Sequence, residues 1–305
     1  MRVEQSEASC RIGQLCSLFG YSRQAYYKMI NRQEQDNFEA CIVLNEVEII
    51  RRDQPRLGVK KLYKKLKDLL PAYGIKMGRD ALYDILRENG LLVRKRRRKK
   101  PQTTFSFHHF RKYPNRAAEL LPTGPNELWV SDITYIRLKR KFAYLSLITD
   151  AYSRKIVGYD LCKRLSAKGC ISALEMALKG NPERSQDMLH HSDRGVQYCC
   201  HAYVDLLEEH HVSISMTQSG DPLENAKAER VNGILKDELL AERYDKYDQA
   251  KAAVERAVHL YNNERPHLSI DMLTPEQAHG KTGELKKLWK NTYATKKAKE
   301  AVMDG

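Results

Sequence analysis

From Leu128 onward the chain alternates short apolar runs with stretches of helical spacing. "LWVSDITYIRL", "FAYLSLITD" and "KIVGYDL" have the length and the β-branched, aromatic content of strands, with Lys139 to Lys141 as a tight turn between the first two. A helix fits "SAKGCISALEMALKG", a short strand "MLHHSD", a helix "AYVDLLEEH" and another strand "VSISM". From Asn225 the residues are helical through "AKAERVNGILKDELL", and a further helix leads into "YNNERPH". Antiparallel strands followed by alternating helix and strand predict an α/β core, a mixed five-stranded sheet flanked by helices.

Before Leu128 the pattern is helical. Ile12, Leu15 and Leu18 space one apolar face, Gly20 turns the chain, and Ser22 is placed to cap a second short helix. That is helix-turn-helix spacing, with Arg23, Gln24 and Tyr27 on the recognition helix; a small helical hairpin that binds nothing has the same pattern. In "GVKKLYKKLKDLL", Val59, Leu62, Leu66 and Leu69 share a face opposite a ladder of lysines, and "GRDALYDILRENG" repeats the idea and stops at Gly90. Seven consecutive cations follow, Arg94 to Lys100, including Arg96, Arg97 and Arg98. They read as a phosphate-tracking linker, with a localisation patch or a solvated linker as the rival readings. The expected organisation is a helix-turn-helix segment over 1–35, a second all-α DNA-binding segment over 45–93, a basic linker over 94–124, the α/β core over 125–285 and a basic tail over 286–305.

Charge changes this picture from a fold to a partner. The net charge is +14, and residues 1–116 carry all of it, with 26 Lys and Arg against 12 Asp and Glu. The remaining 27 basic and 27 acidic residues cancel. A basic arm on a neutral body points to a nucleic acid, with a solvated basic surface as the rival reading, and the helix-turn-helix spacing makes double-stranded DNA the expected partner. No run of eighteen apolar residues predicts a membrane span, and "MRVEQSEASC" has no apolar stretch of a signal peptide. Seven cysteines without scaffold spacing suit a reducing compartment, so the expected location is cytoplasmic and nucleoid-associated.

Three carboxylates stand out against so basic a chain. Asp132 lies mid-strand, on the face of Leu128, Val130, Thr134 and Ile136, with no basic residue at neighbouring positions of that face. A charge so placed needs a partner or a cation. Asp193 ends a short strand beside Gly195, where a loop can present it. Glu229 lies on a helix, and at 100° per residue Asn225, Asn232 and Lys236 fall within about 60° of it, a polar stripe opposite Val231, Ile234 and Leu235. His190, His191, Cys199, Cys200 and His201 suggest zinc, but lack the separated pairs of a structural site. Asp150 and Asp160 read as turn or cap residues, and "TPEQ", Thr274 to Gln277, as a capping box.

"WVSDITY", "HSDRGVQY", "ENAKAERVNGILKDE" and "YNNERPH" occur in that order, and with them the chain resembles the DDE transposases of bacterial insertion sequences. It is most similar to those made from the second of two reading frames, whose core is similar to retroviral integrase. The resemblance covers roughly residues 10 to 280 and is most specific over 128 to 267. It implies an RNase H-like fold, a catalytic and metal-holding triad of Asp132, Asp193 and Glu229, and a basic residue seven places after the glutamate, Lys236, as a DNA contact. His191 and Asn225 are expected to support the site. Glu224 departs from the family, which has Asp before "NA", and puts only the local loop geometry in doubt.

Three carboxylates and a phosphodiester repel each other until divalent cations sit between them. Two Mg²⁺ ions about 3.5–4 Å apart serve an in-line displacement of this kind, and Mn²⁺ has the same preference for oxygen ligands. The expected activity is cleavage of element ends at terminal inverted repeats and strand transfer into target DNA. Two ends imply a homo-oligomer on DNA, and the product of an upstream overlapping frame is a further expected partner. The alternative is a non-catalytic DNA-binding regulator, such as a decayed transposase acting as a repressor. Lys236 is expected two helical turns beyond Glu229, about 10.5 Å along the axis at 1.5 Å per residue.

Overall fold

The computed structural model describes residues 12–94, 109–218 and 222–288. Arg96, Arg97 and Arg98, and the basic tail beyond Leu288, lie outside these residues. Helices α1 (Ile12–Leu18) and α2 (Arg23–Asp53) meet at Gly20, whose φ of 72° makes the turn, and Ser22 caps α2 by accepting from the Ala25 amide at 3.1 Å. The second helix of this pair is not short. It runs 31 residues, roughly 46 Å, because neither Gly nor Pro interrupts Arg23 to Asp53. It therefore crosses the stretch between the two expected helical segments without a break.

Val43 and Val47 near the far end of α2 join α3 (Val59–Leu69) and α4 (Arg79–Glu88) around one apolar core with Leu57, Leu62, Leu66, Leu82 and Leu86. The expected face of α3 changes at its end, where Leu69 is exposed and Leu70 buried. The chain tightens there into a 3₁₀ turn, Leu70–Tyr73, with Pro71 inside it, and the tighter winding rotates the next side chain inward. Gly90 ends α4 with φ 67°, letting the Leu91 amide reach back to the Leu86 carbonyl at 2.8 Å.

The core is one five-stranded sheet of β1 (Leu128–Arg137), β2 (Phe142–Asp150), β3 (Ile156–Cys162), β4 (Leu189–Ser192) and β5 (Ser213–Met216), in the order β3-β2-β1-β4-β5. β1, β2 and β3 are antiparallel; β4 runs parallel to β1, and β5 parallel to β4. One face is covered by α5 (Ala167–Gly180), α6 (Val196–Cys199) and α7 (His201–Glu209), packed around Trp129, Ile148, Leu174 and Tyr203. The other is covered by α8 (Ala226–Ile234), its π-helical continuation Leu235–Leu239, and α9 (Tyr247–Asn263), around Leu145, Leu147, Leu235 and Tyr261. A short α10 (Pro275–His279) opens on the reciprocal Thr274–Gln277 bonds that "TPEQ" predicts. α5 lies so close to β3 that a Cβ on Gly158 would sit 2.0 Å from the Ala173 carbonyl oxygen. This helix–sheet–helix sandwich with a mixed five-stranded sheet is the RNase H-like architecture expected.

Among the described residues, the helical unit meets the core through Lys61 to Glu238, Lys65 to Glu264, Gln54 to Glu264, and Asp53 to Arg256. Among the described residues no helix is long and apolar enough to cross a membrane.

Candidate active site

Strand alternation puts Leu128, Val130, Asp132, Thr134 and Ile136 on the face that meets α8, where Leu128 and Val130 pack on Ala228. Asp132 is half-buried there. Its Oδ1 accepts from the Ile133 amide at 2.9 Å and its Oδ2 from Asn232 Nδ2 at 2.7 Å. Burial, then the Asp193 carboxylate and, more weakly, Glu229 push the Asp132 carboxyl up to about 7, against the two hydrogen bonds that lower it. Asp193 and Glu229 thus both act on Asp132, from separate elements.

The parallel register between β1 and β4 sets the level of Asp193. Leu128 lies beside Leu189 and Val130 beside His191; continued by two residues, that register brings Asp193 opposite Asp132. Immediately after β4, Asp193 Oδ1 accepts from the Gly195 amide at 3.0 Å, a tight turn that opens α6. A Cβ on Gly195 would sit 2.9 Å from that same oxygen and 3.1 Å from Gln197 Oε1, so only glycine fits without moving the carboxylate.

Glu229 is exposed on α8, and the polar stripe around it stitches that helix to β1. Asn225, the residue before the helix, donates Nδ2 to the Ser131 carbonyl at 2.8 Å. Asn232 holds Asp132, and Lys236 Nζ donates to Thr134 Oγ1 at 3.2 Å. Three residues of one helical face therefore meet 131, 132 and 134 of one strand, with Glu229 between the first two. Lys236 sits in the π turn rather than on a continued α-helix, which changes its expected axial spacing from Glu229 but keeps it on the Asp132 side of the sheet.

His191 is buried, its Nδ1 2.8 Å from Ser215 Oγ. That oxygen accepts from the Arg116 and Ala117 amides, so its own hydrogen goes to His191 Nδ1. Burial lowers the His191 pKa and pushes His190, which meets Ser131 Oγ at 2.7 Å and Tyr203 OH at 3.0 Å, down to about 3. Both are neutral framework histidines. Cys199 approaches Met216 and Cys200 the Gln197 carbonyl, so the zinc-like set does not converge. Among the described residues no three His, Cys, Asp or Glu side chains form a closed metal-ligand group, and the three carboxylates share a field without closing on one point.

The remaining expected contacts lie on the helical unit. Arg23 and Gln24 are exposed at the start of α2, with the Arg23 guanidinium folded over Gly13. Arg94 is exposed, and its carbonyl takes the Arg56 guanidinium. Asp150 is a turn residue: it accepts from the Asn126 and Ser153 amides at 2.8 and 2.7 Å. Sequence reading missed Asn232 as the direct holder of Asp132, although its place on the Glu229 stripe was a usable signal. It also missed Glu238, whose buried partners come from elements far away in sequence.

Profiles described as the integrase core domain match residues 122–222 and 210–275. The 31 kDa protein of insertion element IS600 of Shigella sonnei is 32% identical over 266 residues, 86% of this chain and 96% of the relative. The transposase InsF of insertion sequence IS3A of Escherichia coli K12 is 27% identical over 286 residues, 92% of this chain and 97% of the relative. Among solved structures, the HTLV-2 integrase catalytic core domain in complex with magnesium has a TM-score of 0.42 at 19% identity, covering 52% of this chain and 99% of that one. A chain of the simian T-cell lymphotropic virus intasome has 0.46 at 20%, covering 77% and 80%. With this identity spanning nearly the whole IS600 protein, and the integrase core domain lying across the carboxylates, the chain belongs to the DDE transposases of bacterial insertion sequences, polynucleotidyl-transferase-type enzymes with an integrase-like core.

Proposed function

We propose that this transposase cuts DNA at the ends of its element and joins the freed 3′ ends to target DNA, with Asp132, Asp193 and Glu229 as its catalytic carboxylates. The observation that carries the reading is the half-buried Asp132 carboxylate, levelled with Asp193 by the β1–β4 register and bonded by Asn232 of the helix that bears Glu229. An all-oxygen, anionic donor set of this kind fits hard divalent cations, Mg²⁺ or Mn²⁺, which Asp132, Asp193 and Glu229 would hold. When bound, such ions activate the attacking oxygen and neutralise the leaving one.

The chain's own residues do the rest. Asn232 and the Ile133 amide fix the rotamer of Asp132, the Gly195 amide fixes Asp193, and Asn225 anchors the helix that presents Glu229. Lys236, tethered beside Thr134, is placed to hold a phosphate flanking the one being cut. The helical unit and the cationic linker with Arg94, Arg96, Arg97 and Arg98 hold the DNA, Arg23 and Gln24 reading the terminal repeats; two ends require at least two copies of the chain. The upstream-frame product adds to end recognition.

The test is strand nicking and transfer on a duplex carrying the element's ends, with and without Mg²⁺, for the native chain and for Asp132→Asn, Asp193→Asn and Glu229→Gln. Cleavage is expected only with metal and the native triad, while end binding persists in all three variants. Cleavage retained by any one variant removes that residue from the triad, and a native chain that binds ends but never cuts them is a repressor.

A further inference from the structure

Lys236 and Glu238 leave the same turn in different directions. Side chains two residues apart on a helix point about 200° from each other. Lys236 Nζ donates to Thr134 Oγ1 of β1 at 3.2 Å, while the Glu238 carboxylate takes Arg265 and Lys61. The turn that carries both is π-wound, closed by the Leu240 amide on the Leu235 carbonyl at 2.8 Å. Such turns are rare and recur at functional sites.

Arg265 grips Glu238 with two prongs, and its own Nη1 lies 3.0 Å from His267 Nε2. The His267 ring packs edge-on against Tyr261 of α9, with ring centres 4.8 Å apart. Glu238 is therefore fixed to the core without Lys61. Lys61, in the first turn of α3, adds the helical unit: its Nζ meets both carboxylate oxygens at 3.1 and 3.2 Å, with the side chain 13% exposed. The Lys65–Glu264 and Asp53–Arg256 pairs between unit and core are more open, their carboxylates 42 and 45% exposed. Open pairs hold weakly and are screened by salt, whereas a shielded pair of good geometry is screened much less.

We infer that Lys61 and Glu238 are positioning residues for strand transfer. Through them the helical unit is seated on the turn that carries Lys236, so DNA held by the unit reaches Lys236 and the carboxylates at a fixed offset. The inference rests on the transposase reading for the DNA and for Lys236 as the contact to the flanking phosphate. Lys61 itself is turned to Glu238 and shielded, which leaves it no phosphate to hold. With the unit unseated, ends are still bound and the carboxylates still keep their places, but the two no longer share one frame. A misplacement of about 1 Å, caused far from the chemistry, can cost roughly 100-fold in rate.

The test is a double-mutant cycle on the full chain, Lys61→Met and Lys236→Ala singly and together. It is read as the rate of transfer of pre-cut ends in Mg²⁺, with end affinity and the urea midpoint measured beside it. Lys61→Met should lower kcat about tenfold and leave KM and end affinity near native. In the Lys236→Ala chain the same change should cost no more than about threefold, because the contact it aligns is already gone. Independent residues would instead multiply, to a loss of about 100-fold in the double variant. Lys61→Arg keeps a cation against Glu238 and should recover most of the rate. Glu238 stays unaltered throughout, because Arg265 depends on it.

Equal transfer by Lys61→Met and the native chain overturns the inference. So do losses that multiply, which make Lys61 and Lys236 independent, and a fall in end affinity that matches the fall in rate, which makes Lys61 a DNA contact. A lowered urea midpoint without recovery in Lys61→Arg overturns it as well, and leaves Lys61 a contact of the fold. In each of these cases, cleavage that still depends on Asp132 leaves the transposase reading standing. A native chain that neither cuts nor transfers removes both.

Discussion

Glu238 accepts both prongs of Arg265, Nε on Oε2 at 2.9 Å and Nη2 on Oε1 at 2.8 Å, although the two residues are 27 apart in the chain. The same carboxylate takes Lys61 of the helical unit at 3.1 and 3.2 Å. Glu238 sits in the π turn, two residues after Lys236, and Arg265 is only 1% exposed in the loop of "YNNERPH". His267 Nε2 lies 3.0 Å from Arg265 Nη1. One half-buried carboxylate thus joins the π turn that continues the helix bearing Glu229, the loop after α9 and the helical unit.

Glu238→Gln should therefore destabilise the chain by about 3–5 kcal/mol at pH 7, because it strands Arg265 without its counterion. Burial raises the Glu238 carboxyl, but Arg265 and Lys61 outweigh it and hold it below its ordinary 4.5. A lowered carboxyl contributes stability above its unfolded value and loses it as pH falls through the folded one. The gap between native and variant, read by urea unfolding, should stay full down to about pH 4.5 and close below it. A gap independent of pH would mean that the pair does not supply the difference.

Asp132→Asn should melt higher than the native chain at pH 8 in the presence of chelator, since it removes one of three mutually repelling anions from a half-buried place. Each kcal/mol relieved should appear as roughly 2–4 °C in a domain of this size. Added Mg²⁺ should raise the melting temperature of the native chain and leave the variant nearly unmoved. Calorimetry on the two proteins checks both directions, and a variant that melts lower would contradict the crowding.

Lys236→Ala should weaken strand transfer and capture of pre-cut ends by about tenfold or more, roughly the value of one charge-assisted phosphate contact. The Mg²⁺ concentration for half-maximal cleavage should not move. Lys236→Arg should keep part of the activity. Equal rates and end affinity for Lys236→Ala and the native chain would make it a tether to Thr134 and nothing more.

Gly195→Ala should lower cleavage sharply while leaving DNA binding and folding close to native. The new Cβ meets Asp193 Oδ1 at 2.9 Å, and the side chain that gives way is the carboxylate itself. A loss in kcat with end affinity unchanged is the expected split.

Gly158→Ala addresses the fold rather than the site. Its Cβ would lie 2.0 Å from the Ala173 carbonyl oxygen and 2.9 Å from Ala177 Cβ, and neither backbone nor a packed methyl can step aside. A loss of about 3 kcal/mol or more is expected, at or beyond the upper end of ordinary overpacking, with a parallel loss of soluble protein. Urea unfolding reads it directly.

The sequence by itself determined what repeats locally. Strand alternation in "LWVSDITY" put Asp132 on the face of Leu128 and Val130, where it stands. The helical stripe of Asn225, Glu229, Asn232 and Lys236 was visible from spacing, although the π turn at Leu235–Leu239 departs from 100° per residue before Lys236. Ser22, Gly90 and Thr274 marked helix ends through the chemistry of their own side chains and backbone. Tertiary structure alone decided what depends on partners distant in the chain. The parallel register of β4 on β1 levels Asp193 with Asp132, and no residue within either strand encodes that offset of sixty-one. The length of α2 came from the absence of a breaker together with the docking of Val43 and Val47 on α3 and α4, not from its apolar pattern. The Lys61–Glu238–Arg265 junction was illegible for the same reason. A charge's energy depends on burial and on neighbours within a few ångströms, and the chain brings those neighbours from elements that are far apart in sequence.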